Sequence, residues 1–184
     1  MVRGDWTINA SEEVYQNPWI SVNHHSVITP GGTQGIYGEV HFKNLAIGII
    51  PLDDQGYTWR VGQFRFPLNR YSWEIPEGGG PIHIDPLLSA QRELQEEVGL
   101  QADKWERLLE LDLSNSVTNE RSIVYVAEGL TQVSMEHEDT ENLTIEKIPF
   151  FELYQDVMNG LVRDSISVAA VLKLAIQRPG LLEI

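Results

Sequence analysis

Residues 85–99 carry start and stop signals for one helix, and this helix limits the possible folds more than any other segment. Asp85 is a favourable N-cap, and Pro86 suits the first helical position, where its fixed φ fits and its missing N–H is not needed. Gly99 fits the position just past the helix, where the backbone turns left-handed. An apolar stripe predicts that one face packs on a core; it comprises Leu87, Ala90, Gln91, Leu94 and Val98.

Three carboxylates lie near the end of this helix. Glu93, Glu96 and Glu97 have i, i+3 and i+4 spacing, which predicts that they converge on one helix face. They repel one another, and the helix dipole disfavours anions near the C-terminus. Arg92 can neutralise one of them, and hard oxygen ligands at close quarters suit Mg²⁺ or Mn²⁺. The alternative is a solvated face, because Glu and Gln are ordinary helix formers.

A glycine run, Gly78 to Gly80, precedes the helix and lets the backbone approach a ligand or metal closely. A glycine loop that leads into an acidic helix resembles the Nudix box, G-x5-E-x7-R-E-U-x-E-E-x-G-U, where U is a bulky aliphatic residue. Every specified position from Gly78 to Leu100 fits except one, because Ile84 stands where the box has its first glutamate. That departure predicts altered metal geometry or a lower rate, and it keeps open a domain that binds without catalysis.

The segments Gln63-Phe64-Arg65 and Glu74-Ile75-Pro76-Glu77-Gly78-Gly79 resemble the Q-Y-R and E-L-P-A-G-G stretches of the ADP-ribose pyrophosphatase branch, the nucleoside diphosphate sugar hydrolases. The resemblance implies an α+β Nudix fold, with a mixed β-sheet sandwiched between helices. It also implies a single domain over residues 1–184, in which 1–42 form an N-terminal β extension at a dimer interface and 43–184 form the Nudix core.

The same resemblance assigns roles to residues of the box and of an acidic loop at 136–141. Glu93, Glu96, Glu97 and the backbone carbonyl of Glu77 are expected to bind Mg²⁺, which Mn²⁺ can replace. Arg92 is expected to orient the glutamates. The general base is expected from the acidic loop, with Glu141 at the best-fitting position and Asp139 and Glu138 as rivals.

Three residues outside the box are candidates for substrate binding. Arg65 is a candidate for binding the diphosphate, because a guanidinium can donate two parallel hydrogen bonds to phosphate oxygens. A cross-strand ion pair is an equally good interpretation of this residue. Glu74 is a candidate for a ribose hydroxyl or a partner chain, and Arg70 is a weaker candidate. Asp164 is interpreted as a helix cap without a catalytic role.

Elsewhere, apolar periodicity and turn residues predict strands at 19–29, 36–42, 45–51, 57–66, 105–113, 122–128 and 142–148. Helices are predicted at 150–159 and after Asp164. His24 and His25 adjoin a turn and are expected to be exposed.

Charge and composition restrict the partners. The formal charge of −14 argues against a nucleic-acid partner, because such binding depends on clustered Lys and Arg. The absence of cysteine excludes disulfides and thiolate catalysis. No signal-like N-terminus and no apolar stretch of bilayer length are present, so a cytoplasmic protein without a membrane partner is expected.

The predicted function is therefore Mg²⁺-dependent hydrolysis of nucleoside diphosphate sugars, ADP-ribose first and then ADP-glucose or GDP-mannose, by a homodimer. The products would be a nucleoside monophosphate and a sugar phosphate. The alternatives are a Nudix hydrolase of NADH, nucleoside triphosphates or dinucleoside polyphosphates, and a non-catalytic domain that binds nucleotide sugars.

Overall fold

The computed structural model describes residues 1–135 and 142–183. The chain forms two compact units, one of Met1–Leu45 with Asp112–Arg121 and one of Ala46–Leu111 with Ser122–Ile184. The sequence placed an N-terminal extension at 1–42, which is close to the first boundary. It gave no indication that residues 112–121 belong to the first unit.

The first unit is built on a four-stranded antiparallel sheet in the order β1–β2–β3–β4. Its strands are Val2–Arg3, Trp6–Gln16, Ile20–Ile28 and Gln34–Phe42. The turn after β3 closes with Gly32 at φ +81° and its N–H bonded to the Thr29 carbonyl at 2.9 Å. Strands β3 and β4 were predicted, whereas β2 was not, because its apolar alternation covers only Trp6, Ile8 and Ala10 and the polar run from Ser11 to Glu13 follows.

An ion-pair cluster lies on this sheet around the Glu39 carboxylate. Arg3 Nη1 donates to it at 2.8 Å, His25 Nε2 lies at 3.0 Å and His41 Nε2 at 3.1 Å. Burial alone would raise the pKa of Glu39, but these hydrogen bonds lower it from the ordinary 4.5 to about 2. The expectation that His25 is exposed was wrong, because it is buried between Ser11 and Glu39.

The second unit contains two sheets. One has the order β8–β5–β10–β9, with strands Glu77–Pro81, Asn44–Pro51, Arg121–Gln132 and Leu100–Asp112, and its β5 and β10 are parallel. The other is antiparallel with the order β11–β6–β7, from Thr144–Pro149, Tyr57–Arg65 and Arg70–Glu74. Two residues, Ile75 and Pro76, carry the chain from β7 in one sheet to β8 in the other.

Three helices complete this unit: α1 (Pro86–Glu93), α2 (Phe150–Met158) and α3 (Ser165–Gln177). Helix α1 continues as a π-helical turn, Leu94–Val98. Single-turn 3₁₀ segments span Phe66–Leu68 and Pro179–Leu182. Across the described part of the chain, no helix is long and apolar enough to span a membrane.

The core of the second unit is mainly aliphatic, and its largest fully buried side chains come from both sheets, from α2 and α3 and from the π turn after α1. They are Phe150, Ile47, Ile49, Ile50, Ile75, Leu94, Leu153, Leu174, Val61, Val124, Val126 and Val162. The mixture of parallel and antiparallel strands with few helices confirms the predicted α+β class. The single mixed sheet that was expected is divided at Ile75 and Pro76.

Candidate active site

The signals at both ends of the acidic helix are confirmed. The Asp85 carboxylate accepts the Leu87 N–H at 3.0 Å, and Pro86 is the first helical residue. Gly99 is left-handed, with φ +68°, and its N–H bonds to the Gln95 carbonyl at 3.0 Å. The two ends of the segment are thus fixed by local chemistry, so the carboxylates between them have a defined place on the helix.

Two of the three box carboxylates are buried side by side with the glycine loop. Glu93 is 7% exposed and Glu97 is 3% exposed. The Glu97 Oε2 atom accepts the main-chain N–H of Glu77 at 2.9 Å. A Cβ atom at Gly78 would overlap the Glu93 carboxylate, so only glycine permits this approach. Successive residues of β8 therefore meet the two buried carboxylates.

Glu96 is more exposed than these two, and the Arg92 guanidinium joins it to Glu93 by binding both carboxylates. Glu96 is ion-paired with Arg92, is 24% exposed, and lines a surface cavity of about 490 Å³ beside Trp105. Glu96 and Glu97 lie within the π-helical turn, whereas Glu93 is the last residue of α1. Among residues 1–135 and 142–183, no three acidic or histidine side chains lie close enough to hold a metal ion.

Arg92 connects the helix to the glycine loop. Its Nη2 atom donates to the Glu93 Oε1 atom at 2.5 Å and to the Gly79 carbonyl at 2.9 Å, while Nη1 pairs with Glu96. Burial alone would lower the pKa of Arg92, but the charges of Glu93 and Glu96 raise it. Arg92 is therefore a fixed cation that holds its glutamates in place, as the sequence predicted.

The buried donor set fits a divalent metal of the magnesium type. Glu93 and Glu97 provide hard carboxylate oxygens, and the missing side chain at Gly78 leaves room beside Glu93 for the backbone of the loop. The carbonyl of Glu77, predicted as a further ligand, belongs to the same stretch of β8.

Arg65 forms the cross-strand ion pair that was the alternative to substrate binding. Its Nε atom lies 3.0 Å from both oxygens of Glu74, and its Nη2 atom lies 2.5 Å from Glu74 Oε2 and 2.6 Å from Glu77 Oε1. Glu74 is 3% exposed, so its carboxylate is committed to this pair. Arg70 is exposed on β7, opposite Arg65 in the strand register.

The Glu77 side chain is the unusual member of this network. Its Oε2 atom is buried and has no hydrogen-bond partner among the described residues. Burial raises the pKa of Glu77 well above 4.5, with further contributions from the charges of Asp164 and Glu74, and Arg65 opposes the shift. The carboxyl group therefore favours its neutral form more than an ordinary glutamate does.

Helix α3 holds the main chain between β7 and β8 at Ile75. Asp164 caps the helix by accepting the Ser167 N–H at 2.7 Å, as predicted. Ser167 Oγ in turn accepts the Ile75 N–H at 2.9 Å. Sequence reasoning missed Ser167, although a fully buried serine within the apolar stripe of a helix is a signal that a backbone group needs a partner.

The candidate bases Glu141, Asp139 and Glu138 lie outside the described residues. Their assignment therefore remains a prediction from the sequence.

Two family models match this chain. The nucleoside diphosphate sugar hydrolase N-terminal domain matches residues 6–40, and the NUDIX domain matches residues 43–161, which is more than half of the chain. The second match contains the glycine loop, the acidic helix and both buried carboxylates.

Individual proteins agree with these models. The chain is 33% identical to an ADP-ribose pyrophosphatase of Mycobacterium tuberculosis (strain ATCC 25618 / H37Rv), over 94% of this chain and 84% of that protein. It is 27% identical to a methanol dehydrogenase activator of Bacillus methanolicus, over 91% of both chains. A solved structure described as an ADP compounds hydrolase shares the fold, with a TM-score of 0.85 over 97% of both chains at 20% identity. The buried Glu93 and Glu97, the glycine loop that meets them and these matches together establish that the chain belongs to the Nudix family, as a pyrophosphohydrolase of the ADP-ribose pyrophosphatase branch.

Proposed function

We propose that this enzyme hydrolyses the pyrophosphate bond of nucleoside diphosphate sugars, with ADP-ribose as the first substrate and Mg²⁺ as the cofactor. The observation that supports the proposal most is the pair of buried carboxylates, Glu93 and Glu97, held against Glu77 and Gly78. The similarity over nearly the whole chain to a protein named ADP-ribose pyrophosphatase supports the choice of substrate.

The reaction requires a water molecule to attack one phosphorus while negative charge develops on the surrounding oxygens. Bound divalent ions stabilise such charge and acidify water. In this proposal the metal is held by Glu93, Glu97 and the Glu77 carbonyl. Glu96 is a fourth candidate ligand. Arg92 donates hydrogen bonds to the Glu93 carboxylate at 2.5 Å and to the Gly79 carbonyl at 2.9 Å, so it fixes the carboxylate relative to the glycine loop.

A general base must lie within hydrogen-bond reach of the attacking water. We assign this role to Glu141, with Asp139 and Glu138 as the other carboxylates of the acidic loop. The carboxylate takes the proton of the water as the new P–O bond forms and the bridging P–O bond breaks. The leaving sugar phosphate or nucleoside monophosphate carries the charge of the broken bond.

The proposed enzyme is a cytoplasmic homodimer with the N-terminal extension 1–42 at its interface, as the sequence predicted. Exposed apolar side chains on the hairpin of β6 and β7 support self-association, because large apolar patches on a folded surface mark interaction sites. They are Phe64, Phe66, Leu68 and Tyr71, which are 58%, 88%, 54% and 47% exposed. A molar mass from light scattering tests this part, and a monomer at micromolar concentration would refute it.

The function is tested by phosphate-coupled hydrolysis of ADP-ribose, ADP-glucose, GDP-mannose, UDP-glucose, NADH and ATP, with Mg²⁺ and with EDTA. We expect turnover of the diphosphate sugars that needs metal and is fastest for ADP-ribose. If only NADH or ATP were hydrolysed, the catalytic role of the acidic helix would stand and the proposed substrate would be wrong. A rate unaffected by EDTA would refute the metal requirement.

A further inference from the structure

The segment from Glu74 to Gly78 connects a buried ion pair at one end to both buried carboxylates at the other. It leaves β7 at Glu74 and enters β8 at Glu77. From there the Glu77 N–H bonds to Glu97, and Gly78 abuts Glu93. The position of this short stretch of main chain therefore determines how the two carboxylates are presented.

The middle of the segment is held by main-chain contacts. The Ile75 N–H donates to Ser167 Oγ at 2.9 Å, and the Pro76 carbonyl accepts the Ile49 N–H at 2.9 Å. These two bonds come from different elements, α3 and β5, so they fix the segment on both sides. Neither bond restrains the side chains at its ends.

Arg65 restrains both ends at once. Its Nε and Nη2 atoms bind the Glu74 carboxylate, and Nη2 also binds Glu77 Oε1 at 2.6 Å. Burial alone would lower the pKa of Arg65, but the hydrogen bond with Glu74 and the charges of Glu77 and Glu74 raise it, so the guanidinium stays charged. The planar guanidinium group has several N–H donors and can therefore bridge two carboxylates, whereas the ammonium group of lysine is a single point charge.

We propose that Arg65 is a positioning residue, which bridges Glu74 and Glu77 so that the main chain at 77 and 78 holds Glu97 and Glu93 in metal-binding geometry. The inference rests on the proposed function, because it concerns the metal that this function requires. This proposal replaces the earlier expectation that Arg65 binds the diphosphate, because the same guanidinium atoms are hydrogen-bonded to the carboxylates of Glu74 and Glu77.

The test compares Arg65→Gln with Arg60→Gln, in the complete chain. Arg60 is a suitable control because it lies on the same strand and its side chain is 12% exposed, and it also bridges carboxylates, those of Glu146, Glu152 and Asp156. Manganese binding is measured without substrate by electron paramagnetic resonance, and kcat and KM for ADP-ribose are measured at saturating Mg²⁺. Melting temperatures of both variants report general destabilisation.

We expect Arg65→Gln to weaken Mn²⁺ binding about 10- to 100-fold, as is typical when a group that orients metal ligands is lost. The KM for ADP-ribose at saturating metal should change by less than about 3-fold, because a group that does not contact substrate leaves uniform binding intact. Arg65→Lys should be intermediate. Arg60→Gln should lower the melting temperature and leave Mn²⁺ affinity unchanged.

If Arg65→Gln raised the KM for ADP-ribose and left the Mn²⁺ affinity unchanged, the proposal would be overturned. Arg65 would then be a substrate-binding residue. Equal losses of Mn²⁺ affinity in both arginine variants would also overturn it, because the effect would then be general. Should Arg65→Gln fail to fold, Arg65→Lys tests the same bridge, and wild-type Mn²⁺ affinity in that variant counts against the proposal. The Mn²⁺ titration needs no substrate, so it gives an answer even if ADP-ribose is not hydrolysed.

Discussion

Glu97 accepts its hydrogen bond from the main chain of Glu77, at 2.9 Å, across a separation of 20 residues. The bond links the first residue of β8 to the π turn that follows α1. A main-chain N–H donor fixes the orientation of one carboxylate oxygen of Glu97 in the interior of the second unit.

This arrangement predicts a separation of fold and function at Glu97. Glu97→Gln keeps an oxygen that can accept the Glu77 N–H but removes the negative charge. We expect a folded protein whose kcat falls by at least about 10²-fold, because a metal ligand matters no less than the groups that orient it. Circular dichroism and the hydrolysis assay check the two parts. A variant that keeps more than a tenth of the wild-type rate would contradict the metal role.

Glu96 should be less important than its neighbours. It is partly exposed and paired with Arg92, outside the buried pair. Glu96→Gln should therefore reduce kcat by about 10-fold, the lower end of the loss that is typical of groups next to metal ligands. Steady-state kinetics beside Glu97→Gln provide the comparison. Equal losses in the two variants would show that Glu96 joins the site when metal is bound.

Gly78 should tolerate no side chain. A Cβ atom there would overlap the Glu93 carboxylate, so Gly78→Ala must displace either the strand or the carboxylate. We expect a rise of about 10-fold or more in the Mg²⁺ concentration needed for half-maximal activity. Gly38→Ala is the control, because a Cβ atom at that position meets nothing within 4 Å. Similar metal activation in both variants would contradict the prediction.

Glu39 should make stability depend on pH in the acid range. Its folded pKa of about 2 lies below the ordinary 4.5, so its contribution is complete above pH 4.5 and is lost as pH falls through 2. Glu39→Gln should cost about 1 to 2 kcal/mol at pH 7, since its hydrogen bonds involve charged groups. Urea unfolding of both proteins between pH 2 and 7 measures the difference. A difference that grows on acidification would have the wrong sign.

The acidic loop provides a prediction from sequence alone. Glu141→Gln should lower kcat by about 10² to 10⁴ if this residue is the general base. The measurement is kcat at saturating ADP-ribose and Mg²⁺, with Asp139→Asn and Glu138→Gln made in parallel. An unchanged rate in Glu141→Gln would move the role to whichever of the other two shows the loss.

The sequence predicted those parts of the site that depend on local chemistry. Asp85, Pro86 and Gly99 act through the backbone of their own helix, so their residue types were sufficient to place its ends. The π turn was not predicted, because one extra residue in a helical turn leaves no distinctive pattern. The joint binding of one metal by Glu93, Glu96 and Glu97 stays a prediction from their spacing.

Long-range pairing explains the other differences. The partner of Arg65 depends on the register between β6 and β7 and on where β8 begins, which residue types alone do not determine. Strand β2 has few buried positions, and its apolar alternation stops after Ala10. His25 is buried for a similar reason, since its partners Ser11 and Glu39 come from neighbouring strands.

The bond from the Glu77 main chain also affects how sequences of this kind can diverge. A main-chain donor is the same for every amino acid except proline, so a substitution at position 77 keeps the donor to Glu97 and removes only the side-chain bridge to Arg65. A side chain at position 78 would instead displace the Glu93 carboxylate itself. Two adjacent positions that serve one site should therefore respond differently in a saturation library, with graded losses at position 77 and a strong preference for glycine at position 78.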